Sequence, residues 1–542
     1  MSPVERVTER DPLLQLANEQ QSSSNDQLKG DNRHGPLDIS RTTRCGILAG
    51  VWLGTFLTAL NQTLVPTMLA SISSEFEKSH QASWLGTSYL LATCTFTPLY
   101  GRLCDALGRR GANHIALFFA ASGILLCGFS TNLEMLIMSR FLCGIGGGGL
   151  LTTSSLPRIV VSDMFSLRSR GLAQGVASVF NGIGLGFGGP FGGLISDWFG
   201  WRWAFLIQMP LFCLSFVLTT YHLQYVTPGA SKNAREVLKR IDYGGSITLL
   251  VAVGATLVFL SARYNEGLPL SHTVVVVSLA IAWIFFALFL LFEFFIATEP
   301  VLAPFLLKQK VPVLVGTSNF LVSTCNFAIT YFYPMWFQTV ALTSASVAGL
   351  HLLPNSVAVS IGSMFAGWMI HYTGDYKVID LIFGVFPFIG ATLITGISES
   401  SGFVQSWLSI IPLGFGNAVV SQTMLIALLA HLPESHVATG TGFGQLFKGL
   451  GQVAGVAVAS AIFQSKLDGE LRAHINGPGA EELISRIRQS ARLVVNLPPP
   501  LQQITRDAYD TSLKLVFTFA ASSTLMAYII RIPVPRKYLE KQ

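Results

Sequence analysis

Beyond about residue 45 the chain alternates between long apolar stretches and short polar connections. The apolar stretches lie near 46–70, 84–100, 114–130, 134–157, 172–195, 203–223, 244–261, 273–296, 313–337, 347–370, 378–397, 404–430, 444–465 and 512–531. Each is close to the ~17–25 residues that a helix needs to cross a bilayer. Glycine and proline inside them do not weaken that reading, because a backbone in lipid has no better way to satisfy its polar groups. The pattern predicts an all-α membrane protein with 14 transmembrane helices. Residues 1–45, rich in Ser, Asn, Gln and Asp, predict a disordered tail with no signal peptide.

Composition sharpens this picture. Hydrophobic residues make up 51% of the 542 and charged ones 12%, about half the ~25% usual in a globular domain. With a mean hydropathy of +0.52, the chain has too few polar residues to cover a water-soluble surface. A secreted enzyme, a nuclear factor and a disordered scaffold are excluded. The net charge of +6 matters through its placement. If the amino terminus is cytosolic, that side carries 23 Lys and Arg, against 3 in the short loops opposite and 7 in the segment after 466. The bias predicts both termini in the cytosol and residues 466–511 across the membrane. No basic stripe suits a nucleic acid. The seven cysteines lie in or beside apolar runs without metal-ligand spacing, and predict free buried thiols. Neither a phosphate-binding loop nor an intramembrane catalytic cluster is present, so no cofactor, metal or enzymatic activity is expected.

A weak repeat divides the chain. Gly101, Asp105, Gly108, Arg109 and Arg110 connect the second and third runs, and Gly367, Gly374, Asp375 and Lys377 hold the matching place after the tenth. Two six-helix halves follow, 46–223 and 313–531, with a linker and an inserted helix pair in 224–312 and a second tail at 532–542. The charges of 466–511 and Pro498-Pro499-Pro500 predict a solvated excursion. Arg140 stands inside the fourth run. A cation there costs ~2.5–3.5 kcal/mol on insertion scales and marks a functional site. The glycines that follow, from Gly144 to Gly149, allow a close backbone or leave room for a substrate. In the fifth run Gly188, Gly189, Pro190, Gly192 and Gly193 predict a helix that kinks and hugs a neighbour. Glu9 with Leu13 and Leu14 fits an acidic dileucine sorting signal.

The 101–110 connection resembles the loop 2–3 signature of the major facilitator superfamily. That resemblance implies the major facilitator fold, with Asp105, Arg109 and Arg110 in a charge relay that shuts the cytosolic side and Gly101 and Gly108 permitting the turn. Arg140 resembles the family's fourth-helix arginine, which is tied to proton coupling. The 188–193 run resembles the antiporter motif of drug:proton exchangers, with one residue rather than two between Pro190 and the glycine pair. Trp201-Arg202-Trp203 resembles the fourteen-helix drug:proton antiporter group. Its continuation through Phe205 to Gln208, and the stretches 333–338, 349–354 and 443–452, are most similar to fungal vacuolar basic amino acid transporters.

Candidate substrate and coupling residues are Asn61, Gln62, Arg140, Gln338 and Lys448. One departure stands out: the group has Asp where this chain has Asn61, and Asn carries no proton. Glu293, taken as the only carboxylate inside an apolar run, is then a candidate for coupling. The resemblance implies a proton-coupled, alternating-access transporter of basic amino acids in the vacuolar membrane. The alternative is a drug, toxin or secondary-metabolite efflux pump of the plasma membrane, which the missing Asp favours. A non-transporting nutrient receptor is the remote third, because the tails are short. Implied partners are a small-molecule substrate (an amino acid or a drug-like compound), protons, the lipid bilayer and sorting adaptors that read the tail.

Overall fold

A computed structural model describes residues 40–155, 167–223, 242–297, 300–433, 437–477 and 479–537. Among these the regular structure is helical. The first part runs α1 (Arg41–Glu75), α2 (Trp84–Gly128), α3 (Leu133–Ser155), α4 (Leu167–Trp198), α5 (Trp201–Leu206) and α6 (Met209–His222). Then come α7 (Tyr243–Leu260), α8 (Thr273–Leu291) and the short α9 (Pro304–Leu307). The second part holds α10 (Lys310–Thr339), α11 (Ala345–Leu350), α12 (Leu353–Thr373), α13 (Tyr376–Phe383) and α14 (Phe386–Thr395). It closes with α15 (Phe403–Leu408), α16 (Ile411–Ala430), α17 (Val437–His474), α18 (Ala480–Gln489) and α19 (Pro499–Arg531).

Proline sets several of these boundaries. α6, α12, α14 and α16 each carry Pro in their first turn and each continues a short helix just before it. The ring removes one N–H, and the first turn is where that donor would be idle anyway. A spanning unit is therefore a short helix, a break and a longer helix. In α2 the break is Gly108, whose φ of 74° and ψ of 168° end one helix and begin another.

Twelve helical stretches among the described residues are long and apolar enough to cross a membrane. Two further expected spans, the part of α2 before Gly108 and α4, fall outside that set. The first is rich in Thr, Ser and Tyr and packs on α3 through polar contacts: Thr93 donates to Gly144 O (3.2 Å), and Thr152 donates to Thr97 O (3.1 Å). The opposite extreme is residues 273–296, with a mean hydropathy of 3.0 and only 17% of the stretch buried. That segment and α7 form an outlying pair, attached through Ser261, which accepts from Trp84 Nε1 (3.0 Å).

Both described chain ends share one face of the bundle. α1 and α4 run parallel in contact, since Gly184, Gly188 and Gly192 meet Phe56, Leu60 and Leu64 in rising order. α4 and α12 run antiparallel, with Gly182 at Ser360 and Gly186 at Ser356. The far end of α12 leads to Tyr376, whose hydroxyl donates to Pro535 O (2.7 Å). We call this the terminal face, and the one bearing residues 475–498 the loop face.

Residues 466–511 are mostly helical, with charged side chains exposed on the outer side. α17 continues to His474, α18 buries Ile484 and Ile487, and α19 begins at Pro499. Arg488 donates to Asn265 O (2.6 Å), and Arg492 to the hydroxyl of Ser71. The charges occupy the outer side of a strongly amphipathic helix while its isoleucines pack inward. Residues 1–39, including Glu9, Leu13 and Leu14, and the linker residues 224–241 lie outside the described residues.

Candidate functional site

Arg140 sits two turns into α3, completely buried. The glycines after it serve close packing: a Cβ on Gly144 would stand 2.4 Å from Tyr89 O, and one on Gly146 2.2 Å from Ala120 N. Both limbs of α2 thus press on α3 and close lipid and water off from the guanidinium. A buried cation needs acceptors. Arg140 Nε donates to Leu85 O (3.2 Å), one terminal nitrogen to Asn61 O (3.2 Å) and the other to Asn61 Oδ1 (3.5 Å). The Tyr89 ring lies 4.4 Å away and adds a cation–π contact.

Asn61 is itself held in place. Its Nδ2 donates to Gln208 Oε1 (2.7 Å) and Leu57 O (2.9 Å), and Gln208 donates to Ala204 O (2.7 Å). Helices α1, α2, α3 and the α5–α6 joint meet in this network, which contains one positive charge and only neutral acceptors. Gln208 is an addition to the candidate set. Its signal was present in the Phe205–Gln208 stretch, where it counted toward a resemblance and not a contact.

The other candidates do not join this network. Gln62 is half-buried beside it. Gln338 ties the two halves: its Nε2 donates to Thr67 O (3.2 Å). Lys448 lies on α17, half-buried and away from Arg140's partners. Glu293 is spoken for, accepting from the backbone N–H of Val301 (2.9 Å) and Leu302 (3.1 Å), so it fastens the chain after α8. Nor is it the only carboxylate in an apolar run. Asp380 in α13 is fully buried, 3.3 Å from the equally buried Arg531 Nε. Thr423 donates to Asp380, Arg531 donates to Gly384 O (2.7 Å), and Lys377 Nζ donates to Arg531 O (2.7 Å).

The 188–193 motif forms the seam between the halves. Gly188 and Gly192 face α1, while a Cβ on Gly193 would stand 2.4 Å from Ala345 O, and one on Gly349 2.4 Å from Gly189 O. Asp197 then accepts from Ser346 N (3.0 Å) and from its hydroxyl. Tyr331 reaches Gly86 nearby. All of these contacts lie toward the loop face. The opposite side diverges: Gly449 packs on Cys94, with a Cβ 2.7 Å from its Sγ, while Gly442, two turns nearer the terminal face on the same side of α17, has none of the described residues within 4 Å. The halves are joined at the loop face and part toward the terminal face.

The 101–110 loop stands at the parting side. Gly101 and Gly108 have no described residue within 4 Å of a built Cβ, Arg110 is exposed, and the side chain of Asp105 lies outside what the structure describes. Gly108 and its counterpart Gly374 share the left-handed backbone, with φ of 74° and 68°. The Trp-Arg-Trp tripeptide divides its work. Trp203 is 51% exposed, as an interfacial anchor would be, while Trp201 is buried and donates to Glu75 Oε2 (2.6 Å). Arg202 joins Glu75 Oε1 at 2.7 Å.

A bundle in two parts, closed at one face around a buried arginine, defines a class of membrane transport protein. The Major Facilitator Superfamily sequence model matches residues 51–456, and the chain belongs to that family. It is 32% identical over 507 residues, 93% of this chain and 94% of the other, to the multidrug resistance protein fnx1 of Schizosaccharomyces pombe. It is 31% identical to vacuolar basic amino acid transporter 2 of Saccharomyces cerevisiae, over 83% of this chain and 97% of that one. Among solved structures, a bacterial homologue of the human lysosomal transporter Spinster, in an inward-facing conformation, superposes with a TM-score of 0.60 at 12% identity. It covers 91% of this chain and 98% of its own.

Proposed function

We propose that this chain is a proton-coupled secondary transporter that moves basic amino acids across the vacuolar membrane by alternating access, with no catalytic step. The observation that carries the reading is the seam described above: two halves meet at the loop face and part at the terminal face around a polar centre. Such a body needs only to rock about its centre to expose a substrate to each side in turn. The likeness to a vacuolar basic amino acid transporter supports the cargo. In this reading all fourteen spanning lengths cross the bilayer, the terminal face meets the cytosol, and residues 466–511 face the vacuole.

Roles follow from placement. Arg140, held by Asn61 and Gln62's helix, biases the equilibrium between the two conformations, and Gln338 latches the loop face. Gly188, Gly189, Pro190, Gly192 and Gly193 form the bearing surface on which α4 moves. Asp105, Arg109 and Arg110, turned by Gly101 and Gly108, close the terminal face in the other conformation. Uptake of labelled lysine, arginine and histidine into vacuolar vesicles is the test. Uptake that collapses with a proton-pump inhibitor is expected, and no uptake of any of the three overturns the cargo. Changing Leu13 and Leu14 to Ala should move the protein off the vacuolar membrane; an unchanged pattern removes the sorting role.

A second reading is efflux of drugs or toxins at the plasma membrane. It is favoured by Asn61 in place of a carboxylate and by the likeness to fnx1. Increased drug sensitivity of cells lacking the chain, with vesicle uptake of amino acids unchanged, would select it.

A further inference from the structure

Thr441, Gln445, Lys448 and Gln452 recur on α17 at intervals of four, three and four residues, the spacing of a single helix face. The neighbours of that face fix its direction. On one flank Gly444, Gly451 and Gly455 pack along α10; on the other Gly449 packs on Cys94 of α2. The polar stripe therefore points between α10 and α2, into the space where the halves part.

Lys448 is midway along this stripe. It is half-buried and makes no hydrogen bond or ion pair with any described residue. A cation at such depth is costly unless something pairs with it. The neighbouring helices α10 and α16 carry amides. Asn319 approaches Gly444, and Asn417 Nδ2 donates to Asn326 Oδ1 (3.0 Å), leaving Asn417 Oδ1 buried without a partner. Two buried carboxylates among the described residues are committed elsewhere, Glu293 to backbone N–H groups and Asp380 to Arg531.

We propose that Lys448 is the anchor for a carboxylate carried by the substrate. The inference rests on the transport reading and adds the chemical class of cargo: an anion or a zwitterion, not a bare amine. For an amino acid the anchored group is the α-carboxylate, so binding does not depend on an acid in the wall. The ammonium–carboxylate pair forms on loading and is lost on release, so it contributes only in the occupied state.

The test uses the full-length protein in proteoliposomes. With the native chain, lysine should compete for labelled lysine uptake at least tenfold better than cadaverine, the same molecule without its carboxylate. Lys448→Gln should lower lysine uptake more than tenfold and Lys448→Arg should retain most of it, with thermal unfolding of both variants near that of the native chain. Equal competition by cadaverine, or normal lysine uptake by a folded Lys448→Gln, overturns the proposal. If the native chain carries no amino acid but carries an organic anion in a Lys448-dependent way, the anchor stands and the amino acid reading falls. If it carries only carboxylate-free cations, both fall.

Discussion

Among the described residues each half of the molecule buries one arginine completely, and the two are treated in opposite ways. Arg531 in the second half faces Asp380, a carboxylate as deeply buried as itself, and the pair is wrapped by Thr423, Gly384 O and Lys377. Arg140 in the first half has carbonyls, an amide and an aromatic face. A buried ion pair has its charge balanced and has little reason to change partners. A buried cation among neutral acceptors keeps its charge unbalanced and remains responsive to any anion or proton nearby. In the transport reading proposed above the difference separates a fastening from a working part, and it gives each site its own signature on substitution.

The largest effect should come from breaking the fastening. Asp380→Ala leaves Arg531 buried and unbalanced, a change that costs about 3–5 kcal/mol. Thermal unfolding in detergent should show a large loss, and the double change Asp380→Leu with Arg531→Met should recover most of it. If the single and double variants are equally unstable, charge balance is not what the pair supplies. At Arg140 the pattern should invert: Arg140→Ala should reduce transport at least tenfold while expression stays near normal. Arg140→Lys should not rescue it, because one ammonium cannot reach Leu85 O and both Asn61 oxygens from a planar fork. Normal transport by Arg140→Ala reduces this residue to a packing element.

Asn61→Asp makes the first half resemble the second by giving its arginine a carboxylate. The new group is charged at high pH, where it pairs with Arg140, and neutral at low pH, where the pair is lost. The pH profile of transport should steepen, and an unchanged profile means that α1 is not where protons act. A smaller effect is expected at the seam. Gly193→Val places a side chain against Ala345 O, so the loop face should open more often, read as severalfold faster labelling of a Ser346→Cys variant by an impermeant maleimide. Unchanged labelling means that the seam does not limit opening. The smallest effect belongs to the exposed Arg202–Glu75 pair, where Glu75→Gln should change stability by less than about 1 kcal/mol.

How much of this the sequence displayed depends on distance along the chain. Hydrophobic length displayed the helices, since the bilayer thickness is a local constraint, and the family resemblance placed them in the right fold. Arg140 was visible because a lone cation among apolar residues has no local excuse. Asp380 was not: standing three residues after Lys377, it looks like part of a polar loop, and its partner is contributed by the last helix. Glu293 misled for the converse reason, being isolated in sequence but satisfied by the backbone of Val301 and Leu302. The glycines after Arg140 were legible as small, yet only the approach of Tyr89 O and Ala120 N decides that they admit backbone and not substrate.

The wrapping of Arg531 also bears on how the chain is made. Its acceptor at Gly384 precedes it by 147 residues. At synthesis rates of about 5–20 residues per second, α13 waits on the order of ten seconds for the end of α19 to emerge. Throughout that interval Asp380 has Lys377 of its own helix nearby but lacks the buried guanidinium it pairs with in the finished fold. The final helix is thus the step that lets an earlier one settle, and a ribosome that stops short of Arg531 releases a protein that quality control can recognise by one stranded acid.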